Sequence, residues 1–141
     1  MKDTNNLLDY NIWSGTDYKE NIDRFNKTPI SSNEWSNIGE RSLKLTRTTD
    51  EYNNYTTETS GIELPANNYK LTANIYSPNA YGRIVMFTGD TDQVVVSFSP
   101  NPNTQVVSVQ ASNTKCRGFR LLNDTKGQSI WLDNVSLVIV S

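Results

Sequence analysis

The eight residues Tyr69-Lys70-Leu71-Thr72-Ala73-Asn74-Ile75-Tyr76 alternate, with apolar side chains at the odd positions and mostly polar ones at the even positions. A period of two marks a β-strand, because successive side chains of an extended chain point to opposite faces. Tyr69, Leu71, Ala73 and Ile75 are therefore expected in a core, with Lys70, Thr72, Asn74 and Tyr76 on the other face.

Outward from this strand the same pattern recurs at intervals of about ten residues, as in a sandwich or barrel. Ser42–Thr48, Tyr55–Leu64, Gly82–Thr88, Gln93–Ser99, Gln105–Gln110, Cys116–Asn123 and Ser129–Val140 read as further strands. Turn formers stand between them, at Pro65-Ala66-Asn67-Asn68, Ser77-Pro78-Asn79, Thr88-Gly89-Asp90, Pro100-Asn101-Pro102-Asn103 and Asp124-Thr125-Lys126-Gly127. Long amphipathic helical patterns are absent. About eight antiparallel strands in two sheets make a jelly-roll β-sandwich, an all-β domain spanning residues 1–141.

The first forty residues differ, with Ile12, Trp13, Phe25, Ile30, Trp35 and Ile38 as apolar anchors among polar neighbours. They read as one short strand at Ile12-Trp13 and a long loop, with Trp13 and Trp35 used for packing. The closing strand carries a slip. Ile130 and Leu132 share one parity, and Val135, Leu137 and Ile139 share the other. An extra residue at Asp133-Asn134 keeps both sets on one face, as a β-bulge does.

Composition removes several function classes. The chain has 141 residues, a formal net charge of -2 and 13 dispersed basic residues, so no basic patch for nucleic acid is visible. With one cysteine, Cys116, and no histidine, neither an internal disulfide nor a Cys/His zinc site nor a histidine base can form. The position of Cys116 in an apolar strand suits a buried thiol better than a nucleophile. No apolar run reaches membrane-spanning length, and MKDTNNLLDY lacks the apolar core of a signal peptide. Membrane insertion is not expected. No glycine-rich phosphate loop is present either.

Glycosidase chemistry needs two carboxyl groups facing one cleft. Acidic residues lie mainly in loops, at Asp17, Glu20, Asp23, Glu34, Asp50, Glu51, Asp90, Asp92 and Asp124, where solvation is their ordinary role. The chain therefore reads as a binding protein and not as an enzyme. Asn-x-Ser/Thr sequons at Asn26, Asn54, Asn123 and Asn134 arise easily in a chain so rich in these residues.

Four motifs in order carry a family resemblance: Asn6-Leu7-Leu8; Gly39-Glu40-Arg41-Ser42-Leu43-Lys44-Leu45; Leu64-Pro65-Ala66-Asn67-Asn68-Tyr69-Lys70-Leu71-Thr72-Ala73; and Ile130-Trp131-Leu132-Asp133-Asn134-Val135-Ser136-Leu137. Together they resemble the jelly-roll carbohydrate-binding modules appended to glycoside hydrolases, which share a galactose-binding-domain-like sandwich. Similar domains occur in phage tail and baseplate proteins and in microbial surface adhesins. The resemblance implies non-catalytic recognition or adhesion, with a glycan or cell-surface polysaccharide as partner. It also implies an extracellular, cell-surface or virion location within a larger protein. An assembly domain that contacts other protein chains is the alternative.

The same resemblance implies site residues. Arg47 and Tyr52 resemble the R-T-x-x-W stretch of xylan- and glucan-binding members, with tyrosine for tryptophan, and Trp131 stands where those members often carry an aromatic. Tyr76, Asn74, Arg83 and Arg120 are added as polar-face candidates. Structural calcium in such modules is held by the terminal-strand aspartate, here Asp133, and by an acidic residue after the first strand. Ser14 follows Trp13, which leaves Asp9 or Asp17 as the substitute. Calcium takes six to eight oxygens, so backbone carbonyls would have to join them. The residue-level alternative is that Asp133 and Asn134 satisfy backbone groups at a bulge.

Overall fold

A computed structural model describes residues 30–32, 34–35, 42–51, 56–58 and 63–140. The expected strand at Ile12-Trp13, the anchors Phe25 and Ile38, and the candidates Asp9, Asp17 and Tyr52 lie outside the described residues. Eight antiparallel strands and no helix are found among those described: β1 Ile30–Ser32, β2 Ser42–Thr46, β3 Thr56–Glu58, β4 Leu64–Ser77, β5 Gly82–Thr88, β6 Asp92–Phe98, β7 Asn101–Asn123 and β8 Ser129–Ile139. They pair in the order β1-β2-β8-β4-β7-β5-β6, with β3 also on β7.

β4 follows the alternation of its sequence. Tyr69, Leu71, Ala73 and Ile75 are at most 1% exposed, and the even positions between them are partly exposed. It lies at the centre, between β7 and β8. The two segments expected as separate strands at 105–110 and 116–123 are one strand, β7. It pairs with β4 from Asn101 to Cys116 and with β5 from Cys116 to Asn123. Asn113 and Gly118 take positive φ, 52° and 118°, where the alternation changes phase. The short β1 replaces loop at Ile30, because Ile30 pairs with Lys44 of β2.

Where two sheets were expected, the pairing is continuous across all eight strands, a single sheet in which β7 joins a layer of β1, β2, β8 and β4 to a layer of β5 and β6. One hydrophobic cluster collects side chains from both layers, among them Leu43, Leu71, Ile75, Val109, Ile130, Leu132 and Val135 from one and Ile84, Met86, Phe98, Phe119 and Leu121 from the other. Close approach of the layers is visible at Gly82 of β5. A Cβ there would come within 2.8 Å of Ile130 Cδ1 on β8 and 2.8 Å of the Leu122 carbonyl oxygen, and it would collide with the Phe98 ring.

β8 contains the bulge expected from its register slip. Thr72 pairs with Ser136 and Asn74 with Asp133, so that Ala73 alone faces the two residues Asn134 and Val135. Asn134 takes φ 50°, in the left-handed region that Asn tolerates better than most residues. As a result Ile130, Leu132, Val135 and Leu137 are all at most 2% exposed and face one core.

Candidate functional site

The face of β2, β8 and β4 turned away from the core assembles an aromatic group. Lys44 pairs with Trp131, and Trp131 with Tyr76, which sets the three residues in one row across adjacent strands. Their neighbours Leu43, Leu45, Ile75, Ile130 and Leu132 are buried, so the row takes the outward register. The Tyr76 and Trp131 rings lie 5.4 Å apart, tilted by 40°. Trp35, following β1, stacks on Tyr76 at 5.6 Å and 21°. All three rings are partly exposed. Ring pairs in such offset geometry contribute about 0.5–1.5 kcal/mol each beyond their buried area.

Polar groups hold this arrangement. Lys44 Nζ lies 5.1 Å from the centroid of the Trp131 ring, in cation–π range. It also donates to Glu34 Oε1 at 2.5 Å. That hydrogen bond is the main reason the Glu34 carboxyl is held below its ordinary pKa. Ser42 Oγ donates to the Trp35 carbonyl at 2.5 Å, and the Glu34 amide donates to Ser32 Oγ at 3.2 Å. The Trp131 indole N–H is buried and meets no acceptor among the described residues.

Of the candidates read from the sequence, the structure brings Trp131 and Tyr76 together, with Asn74 one pleat further along β4 opposite Asp133. Trp35, expected to serve packing alone, stacks on Tyr76 in the outward row. Lys44 and Glu34 were missed. Their approach to Trp131 follows from the β2–β8 pairing, which joins residues far apart in sequence, and no local motif announces it.

The arginines lie elsewhere. Arg47 ties loops together at the end of β2: Nε donates to the Thr49 carbonyl at 3.3 Å, Nη1 to the Asn123 carbonyl at 3.4 Å, and Nη2 to Asp50 at 3.4 Å. Its backbone bonds both Gly127 and Gln128. Arg83 is not on a strand next to β4, since β7 intervenes. It makes a two-pronged ion pair with Asp124, at 2.9 and 2.8 Å. Arg120 of β7 lies over the Phe87 ring at 4.9 Å. The candidates therefore occupy two layers and one loop end instead of one cleft. The sequon residue Asn123 is completely buried, its amide spent on the carbonyls of Leu45 and Gln128, so it cannot accept a glycan in the folded chain.

Asp133 is 0% exposed and engaged in polar interactions at the bulge. Among the described residues no group of three or more His, Cys, Asp or Glu side chains converges, so a calcium ion beside Asp133 would have to draw on backbone carbonyls or on acids outside them such as Asp9. Burial pushes the Cys116 thiol up, which leaves it protonated and a poor nucleophile.

Solved structures share this architecture. A family 16 carbohydrate-binding module aligns over 79% of this chain and 85% of its own, with a TM-score of 0.54 and 16% identity. The CBM22-1 xylan-binding domain of Paenibacillus barcinonensis Xyn10C aligns over 80% and 81%, with a TM-score of 0.57 and 12% identity. The enzymatically active domain of bacteriophage CBA120 tailspike protein 4 aligns over 96% of this chain and 22% of its own, with a TM-score of 0.68 and 12% identity. The chain has the β-sandwich fold of carbohydrate-binding modules. No protein-family model matches the sequence, and no curated protein matches it.

Proposed function

We propose that this chain is a non-catalytic carbohydrate-binding module of a larger extracellular, cell-surface or virion protein. The observation that carries the proposal is the outward stack of Trp35, Tyr76 and Trp131 on rigid paired strands, bordered by Lys44, Glu34 and Asn74. Pyranose rings present apolar C–H faces that lie against aromatic rings, and their hydroxyls take charged and amide groups as partners. Strands that are already ordered lose little freedom on binding, which favours recognition without rearrangement. Bond breaking has no support. Among the described acids, Glu34, Asp50, Asp90 and Asp124 are each tied in ion pairs with Lys44, Arg47, Lys115 and Arg83. Glycan-array binding of the folded chain tests the proposal: retention on polysaccharide or oligosaccharide spots is expected, and a blank array would contradict it.

Structural calcium at Asp133 belongs to the same proposal. Its support is the complete burial of the Asp133 carboxylate beside the register shift of the β8 bulge. Millimolar calcium is expected to raise the melting temperature of chelator-treated protein, and Asp133→Asn to remove that rise; an unchanged melting curve would exclude the ion.

An assembly role is the second reading, supported by the likeness to a tailspike domain over nearly the whole chain. It predicts self-association in sedimentation and no glycan retention.

A further inference from the structure

A depression of about 380 Å³ opens at the far end of β4 from Tyr76. There Cys116 of β7 pairs with Leu64 of β4 on one side and with Thr88 of β5 on the other, and register shifts next to both pairs part the strands. Glu63, Leu64, Pro65, Asp90, Lys115 and Arg117 line the opening.

Arg117 is held in place before any ligand arrives. Arg117 Nε donates to the Gly89 carbonyl at 2.9 Å, and Nη2 reaches the Thr88 and Asp92 carbonyls at 3.5 and 3.2 Å. The guanidinium also lies 5.6 Å from the centroid of the Phe87 ring. None of these partners is a carboxylate, and Nη1 has no partner among the described residues. Asp90 holds Lys115 Nζ at 3.1 Å. Glu63 is exposed and makes no hydrogen bond or ion pair among the described residues. Two acids and two bases thus cancel in charge around the apolar surface of Leu64 and Pro65.

We propose that this depression is a second binding site, for one neutral sugar residue of a glycan. The proposal rests on the carbohydrate reading above and deepens it. A balanced site gains little from a charged ligand, whereas a polyhydroxylated ring uses both kinds of group: its hydroxyls donate to Glu63 and accept from Arg117, and its C–H face meets Leu64 and Pro65. The volume lies in the range of roughly 300–1,000 Å³ usual for small-molecule sites.

The test is a titration of the isotope-labelled full chain with D-glucose, D-galactose, D-xylose and N-acetyl-D-glucosamine, with D-glucuronate as charged comparator, read at backbone amides by NMR. At least one neutral sugar is expected to give saturable shifts at residues 63–64, 88–90 and 115–117, and to bind more tightly than glucuronate. Glu63→Ala is expected to weaken that binding about tenfold with the rest of the spectrum unchanged, and Trp131→Ala to leave it unaltered. Stronger binding of glucuronate, or an unaltered affinity in Glu63→Ala, would overturn the proposal. Shifts confined to Trp35, Tyr76 and Trp131 would also overturn it, while leaving the carbohydrate reading in place; silence at both surfaces would remove both.

Discussion

Glu34 shows how one side chain conditions the outward stack. Its carboxylate holds Lys44, and Lys44 lies over Trp131, so protonation of Glu34 releases one member of the row. Because its pKa in the folded chain is depressed, the contribution is complete above the ordinary glutamate pKa and is lost as pH falls through the lower folded value. Tryptophan fluorescence is expected to change in that acid range before global unfolding, and Glu34→Gln to abolish the early change. An early change that persists in Glu34→Gln would refute the linkage. Asn134 is the other position where one residue decides a local structure. With φ at 50°, Asn134→Gly is expected to be neutral or stabilising by up to about 1 kcal/mol. Asn134→Val is expected to cost about 1–2 kcal/mol by denaturant melting, since a β-branched residue is strained there.

At the scale of elements, the contact between layers depends on β5 lying close to β8. Gly82→Ala would drive a methyl group against Ile130 and the Leu122 carbonyl, and backbone cannot give way as a flexible side chain can. A loss of about 1–3 kcal/mol in chemical denaturation is expected; full stability would mean that the layers are looser than described. Individual strands were legible in the sequence wherever local alternation is strong. Gly82–Thr88 has the expected bounds, and the bulge in β8 followed from the parity of Leu132 and Val135. The union of 105–110 with 116–123 was not legible. The polar stretch Ala111-Ser112-Asn113-Thr114 looks like a turn, yet it remains strand through pairing with β4, including Asn67 with Thr114 and Tyr69 with Ala111. Tertiary pairing overrode local composition there. The site was legible in part for the same reason: Trp131, Tyr76 and Asn74 stood out as outward residues of good strands, whereas Lys44 and Trp35 join them through contacts between distant segments.

For the whole molecule, the sandwich supplies rigid outward faces at little conformational cost. The core draws on strands from both ends of the described chain, so β7 and β8 must close long loops before the aromatic row exists. The proposed recognition therefore belongs to the folded domain and not to any isolated hairpin. The proposed function requires that this face bind polysaccharide through its aromatic rings. Affinity electrophoresis of the native chain, of Trp131→Ala and of Trp35→Ala through gels containing soluble xylan, β-glucan or galactan tests it most directly. The native chain is expected to be retarded in at least one gel, and each variant to lose most of that retardation, about tenfold in affinity, while keeping its folded circular-dichroism spectrum. Equal mobility of native chain and variants in every gel, all of them folded, would contradict the account.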